Sequence, residues 1–158
     1  MNVVIVNRQR TQKINSRLLK NITASLLAEL KIKNAELGIN LVAATEMTLI
    51  NETFLRHKGS TDVITFDYAG ARAARPSEAK TRTRGRAARA PLSGEIFTCV
   101  DEAILQARKY GTRWESEIIR YVIHGILHLL GHDDSRPAAR RRMKREENRL
   151  LRRLAGKF

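Results

Sequence analysis

Apolar residues recur along this chain with two different periods, and the changes of period outline its elements. Val3, Val4, Ile5 and Val6 form a short β-branched run ahead of the polar N-R-Q-R-T-Q, which predicts a first strand. Ile14, Leu18, Ile22, Leu26 and Leu30 then return every four residues, with Leu19 and Leu27 widening the stripe, and this is the period of an amphipathic helix. Residues 34–38 are expected to end it, and residues 39–44 to form a second strand. Thr45, ahead of Glu46 and Met47, predicts a capped helix reaching about His57, with Met47, Ile50 and Phe54 at helical spacing. Lys58, Gly59 and Ser60 turn the chain into T-D-V-I-T-F at 61–66, a third strand.

From 68 to 91 the chain has almost no large apolar residue, so it cannot bury enough surface to offset chain entropy and reads as a long mobile basic loop. G-E-I-F-T-C-V at 94–100 resumes as a strand, so the loop joins two neighbouring strands of one sheet. Asp101 is expected to cap a helix that closes at Gly111. Trp114, Ile118, Ile119, Val122, Ile123, Ile126, Leu127, Leu129 and Leu130 crowd onto a long helix that is apolar almost all round, as a helix central to a core must be. After Pro137, the segment 136–158 places Met143, Leu150, Leu151 and Leu154 at helical spacing among arginines, which predicts a docked apolar edge and a wet basic face. The order of elements predicts an α+β (α/β-type) fold in one domain over residues 1–158, with a mixed sheet of about four strands packed by about five helices.

Charge refines this picture through its placement. The chain of 158 residues carries a formal +14, which predicts attraction to polyanions, nucleic acid above all. Residues 72–90 hold seven basic and one acidic residue, and residues 136–158 hold ten and two, so the rest of the chain is neutral. The candidate nucleic-acid contacts are Arg82, Arg84, Arg86 and Arg89 in the loop and Arg140 and Arg141 in the last helix, acting through phosphate with little sequence readout. Cys99 is the only cysteine, so no intrachain disulfide forms. The apolar run at the start is too short for a signal peptide or a membrane span, and a cytoplasmic location without membrane contact is expected.

The candidate chemistry lies at 123–135, I-H-G-I-L-H-L-L-G-H-D-D-S. His124 and His128 stand four apart and share one helix face, where they can grip one metal ion. Gly131 tolerates the positive φ that ends a helix and swings His132, Asp133 and Asp134 back toward them. Two buried imidazoles in so apolar a helix need partners, since an unpaired one costs about 1–3 kcal/mol. Imidazoles with a carboxylate or a third imidazole suit Zn2+, one ion per chain, with a fourth position left for water. A zinc protease of the H-E-x-x-H kind needs Glu beside its first histidine, whereas this chain has Gly125.

H-G-I-L-H-L-L-G-H-D-D resembles the signature of the YbeY family, the bacterial rRNA maturation factors, whose pattern is H-G-x-L-H-L-x-G-[YFH]-D-H. L-I-N-E-T-F-L-R-H-K-G-S-T-D-V-I-T-F resembles the family's second block, and L-S-G-E-I-F-T-C its L-G-D-I-x-I-C strand, with Glu95 in place of Asp. The resemblance covers about residues 39–134. It implies a metal-dependent, single-strand-specific endoribonuclease acting in small-subunit rRNA 3′-end maturation and ribosome quality control, with single-stranded RNA, rRNA and the small ribosomal subunit as partners. It also implies His124 and His128 as metal ligands and puts the third, normally histidine, on Asp134, with His132 as its rival. Arg56 is the candidate for the family's arginine, and Thr61 and Asp62 are candidates for the cleft wall. The basic loop is longer than the family's usual connection.

Three other readings use the same residues. A non-catalytic ribosome-binding assembly factor with a structural metal predicts a closed site of four ligands. A non-haem iron enzyme uses two histidines and a carboxylate. A metalloprotease would need an unusual base in place of the missing Glu.

Overall fold

A computed structural model describes residues 1–69 and 91–157. Among them β1 (Asn2–Asn7), α1 (Ser16–Glu29) and β2 (Ala35–Val42) form a β-α-β unit, followed by α2 (Ala44–Ile50) and a π-helical turn, Asn51–Leu55. Next come β3 (Val63–Asp67), β4 (Leu92–Cys99), α3 (Val100–Tyr110), α4 (Trp114–Leu129) and α5 (Pro137–Leu154). The strands lie in the order β1-β2-β4-β3; β1, β2 and β4 are parallel, and β3 runs antiparallel to β4 from Val63 opposite Thr98 to Asp67 opposite Gly94. Among the described residues, five helices and a mixed four-stranded sheet make an α+β fold, as the order of elements predicts. β3 and β4, on either side of the expected loop, are indeed neighbours. Residues 70–90 of that loop lie outside the described residues.

The main core lies between the sheet and α1, α4 and α5, and joins Ile39, Leu41 and Ile96 of the sheet to Leu26, Leu27, Ile123, Ile126, Leu127, Met143 and Leu150. A smaller cluster of Val42, Met47, Ile50, Ile64 and Cys99 lies apart from it. Full burial contributes roughly 1.5–3 kcal/mol for each large apolar side chain. Ile118, Ile119, Val122, Ile123, Ile126, Leu127 and Leu129 of α4 are all buried, so the helix that carries both histidines is a firm base.

Local details depart from the expectations where backbone or distant residues do the work. The four-residue stripe on α1 drifts off the core because a helix turns in 3.6 residues: Leu18 is 38% exposed, and Leu19, Ile22, Thr23, Leu26 and Leu27 form the buried face. That helix is capped by Asn15, whose side chain accepts from the Leu18 amide. It ends earlier than residues 34–38 because Lys31 takes a left-handed backbone (φ 57°), with its amide donating to Ala28 and that of Ile32 to Leu27. β2 therefore begins at Ala35, not at residue 39. Neither expected side-chain cap forms. α2 starts at Ala44, and its first amide donates at 2.6 Å to the carboxylate of Asp101, which lies within the first turn of α3 and does not cap that helix. The other carboxylate oxygen accepts from Thr11 at 3.1 Å.

Candidate metal centre

His124 and His128 occupy the last turns of α4 on one face, with ring centroids 4.5 Å apart and their Nε2 atoms 2.9 Å apart. Past Leu129 the chain folds back as expected: Gly131 takes φ 91°, and the amides of Gly131 and His132 donate to the carbonyls of His128 and Leu127 at 2.9 and 3.0 Å. This reversal carries Asp134 to the histidines, with its Oδ2 3.6 Å from Nε2 of His124 and 3.5 Å from Nε2 of His128. One donor atom from each of the three part-buried residues lies within 4.8 Å of the others, a grouping that can hold a metal ion.

The surroundings favour positive charge at this point. Nδ1 of His128 lies 3.1 Å from the backbone carbonyl of His132. A carbonyl only accepts, so Nδ1 carries the proton and Nε2 of His128 is left as a lone pair. That lone pair faces the second ring at 2.9 Å beside a carboxylate oxygen, an arrangement met by a cation shared among the three. Burial acts to lower the basicity of His124. The hydrogen bond to Glu147 and the charges of Glu147, Asp62 and Asp134 outweigh it and hold the imidazole above its ordinary value. Two imidazole nitrogens and one carboxylate oxygen suit a divalent transition ion.

The group opens onto a cleft of about 620 Å³, whose walls include Asp62, Arg120, Tyr121, Arg140 and Lys144. Asp62 is tied to the start of β3 by the Val63 amide at 2.9 Å and the Thr61 hydroxyl at 3.1 Å. Arg120 donates to Asn148 at 2.8 Å and pairs with Glu117. Arg140 donates through Nε to the backbone carbonyl of Asp134 at 3.1 Å, which bridges α5 to the ligand turn.

The remaining expected residues divide. His132 contributes its carbonyl to His128, while its exposed side chain lines a separate depression with Asp133 and Arg142. Arg56 ends the π-helical turn in a left-handed conformation (φ 55°), is exposed, and is not among the residues lining the cleft. Arg141 is exposed on α5 and also lies outside the cleft wall. Arg82, Arg84, Arg86 and Arg89 lie outside the described residues.

Glu147 escaped the reading of the sequence. Its Oε1 lies 2.5 Å from Nδ1 of His124, and the residue is only 5% exposed. The signal was present: Met143, Glu147, Leu150 and Leu154 share the buried stripe of α5, so one carboxylate sits among apolar residues.

The family model described as Endoribonuclease YbeY matches residues 2–155. A protein of that name from Myxococcus xanthus is 35% identical over 136 residues, which cover 86% of this chain and 42% of the relative, so the chain spans less than half of that protein's length. The namesake from Chlorobium phaeovibrioides is 33% identical over 150 residues, 85% of this chain and 87% of its own, and that from Syntrophotalea carbinolica is 31% identical over 98% of this chain and 96% of its own. The solution structure of TM1509 from Thermotoga maritima shares the fold, with a TM-score of 0.62 at 23% identity over 98% of this chain and 90% of that one. By its sequence across nearly its whole length, the chain belongs to the YbeY family.

Proposed function

We propose that this protein is a zinc-dependent endoribonuclease that cuts single-stranded RNA during 3′-end maturation of small-subunit rRNA and ribosome quality control. The observation that carries the reading is the convergence of Nε2 of His124, Nε2 of His128 and Oδ2 of Asp134 at the mouth of a cleft that also presents Arg140 and Lys144. Their separations of 2.9, 3.5 and 3.6 Å bracket the edge of about 3.3 Å expected of a tetrahedron with bonds of about 2.0–2.1 Å, the zinc geometry. When bound, zinc supplies Lewis acidity toward a phosphoryl oxygen and toward water.

The chain's own residues supply binding and orientation. His124, His128 and Asp134 would hold the ion, with His124 and Asp134 on the cleft wall. Arg56 keeps the role that the resemblance gives it, and Arg140 adds a second guanidinium, on the cleft wall. Its planar guanidinium offers paired donors to a phosphate, and Lys144, one helical turn on, offers a second positive charge. Phosphate contacts of this kind grip any sequence and leave cleavage specificity to whether the strand is unpaired. A structural metal calls for a fourth protein ligand; among the described residues three donors converge and the side chain of His132 faces elsewhere.

The test is cleavage by the purified protein of one RNA presented single-stranded and as a duplex, each with and without chelator. Cutting confined to the single strand, abolished by chelator and restored by added Zn2+, is the expected result. Chelator-resistant cutting or a preference for duplex would refute the proposal.

A further inference from the structure

Glu147 is the most deeply buried carboxylate beside the metal centre, and nothing about helix formation calls for it there. It sits between Met143 and Leu150 on the apolar face of α5. One oxygen, Oε1, meets Nδ1 of His124 at 2.5 Å, while the other, Oε2, faces two positive charges, Arg120 at 3.8 Å and Lys144 at 3.9 Å. A carboxylate balanced by two cations has only lone pairs to offer, so the bond to His124 runs from Nδ1–H to Oε1. That fixes the tautomer of the ring. With its proton on Nδ1, Nε2 of His124 is bare and points where Nε2 of His128 and Oδ2 of Asp134 also point.

The two histidines thus reach one tautomer by different means: His128 through the backbone carbonyl of its own turn, His124 through a side chain 23 residues away on another helix. We infer that Glu147 is a positioning residue that holds His124 in the Nδ1–H tautomer and thereby sets the affinity of the site for a divalent transition ion. The inference rests on the metal-centre reading above. It makes α5 part of the site: the basic helix is fastened to the ion through Glu147 and His124, and ordering α5 and loading metal favour each other. Partners of this kind, one bond removed from the metal, are typically worth about 10–100-fold in affinity.

The experiment uses the full chain and two variants. In Glu147→Gln the amide can accept from or donate to Nδ1, so the tautomer is no longer imposed. In Glu147→Leu the side chain suits the apolar stripe and the partner is lost. Zn2+ affinity, measured by competition with a chromophoric chelator, is expected to fall about 10–100-fold in both. Nitrogen-15 spectra of the metal-free protein, taken at a pH where both rings are neutral, are expected to show His124 as the Nδ1–H tautomer in the parent and a mixture in Glu147→Gln. A purely structural role predicts otherwise: affinity would follow stability, so a variant that keeps the parental thermal midpoint would also keep the parental Zn2+ affinity. That result, or an unchanged His124 tautomer in Glu147→Gln, overturns the inference. If the parent itself binds no divalent ion, the metal-centre reading fails, and the nitrogen-15 comparison still decides what Glu147 does to His124.

Discussion

Ile96 of β4 fills the space that any side chain at position 125 of α4 would need. A Cβ built on Gly125 would lie 2.8 Å from Cγ2 and 3.0 Å from Cδ1 of that isoleucine, which is itself fully buried. The missing protease base is therefore a packing requirement as well as a chemical absence, since a glutamate beside His124 would push α4 off the sheet. Gly125→Ala is expected to destabilise the metal-free protein by about 1–3 kcal/mol in urea unfolding, as overpacking does. A variant as stable as the parent would show that the close approach is not needed.

Asp101 holds together parts of the chain that are distant in sequence, accepting from the first amide of α2 and from the Thr11 hydroxyl. Asp101→Ala should cost about 0.5–2 kcal/mol, the range for losing a helix cap, read from the denaturant midpoint. An unchanged midpoint would mean that solvent replaces the carboxylate without loss.

The third ligand can be ranked directly. Oδ2 of Asp134 lies within 3.6 Å of both Nε2 atoms, whereas the His132 side chain lines a different depression. Zn2+ affinity should fall far more in Asp134→Ala than in His132→Ala, measured by chelator competition on the two variants side by side. The opposite order would transfer the role to His132.

RNA binding by phosphate contact makes a quantitative statement. If Arg140 neutralises one phosphate of a single strand, Arg140→Gln should reduce the slope of log affinity against log salt by about 0.7 and weaken binding evenly across sequences. Removing residues 72–90, which carry seven basic residues, should flatten the slope further. Salt dependence identical to the parent in both variants would place RNA elsewhere.

Elements written in local apolar pattern could be read before the structure, and those that depend on remote partners could not. The crowding of Ile118 to Leu130 predicts α4, the spacing of His124 and His128 predicts a shared face, and Gly131 predicts the reversal that delivers Asp134. Each is a statement about neighbours within a few residues, and the geometry agrees with all three. Lys31 is different, because a lysine gives no local sign of a left-handed backbone, so the apolar pattern puts the end of α1 and the start of β2 too far along the chain. The cap from Asp101 to Ala44 spans 57 residues and the bond from Glu147 to His124 spans 23, and no periodicity reports contacts of that range. Arg56 rests on its neighbours in sequence alone, and it stands exposed at the end of a π-helical turn.

The proposed function requires that His124, His128 and Asp134 hold one ion on which RNA cleavage depends. Its most direct measurement pairs the metal content of the purified protein with its rate of single-strand cleavage, for the parent and for the double variant His124→Ala/His128→Ala. About one ion per chain and active cleavage are expected in the parent, and neither in the double variant, with circular dichroism unchanged. Parental cleavage by a metal-free double variant would contradict the proposed function.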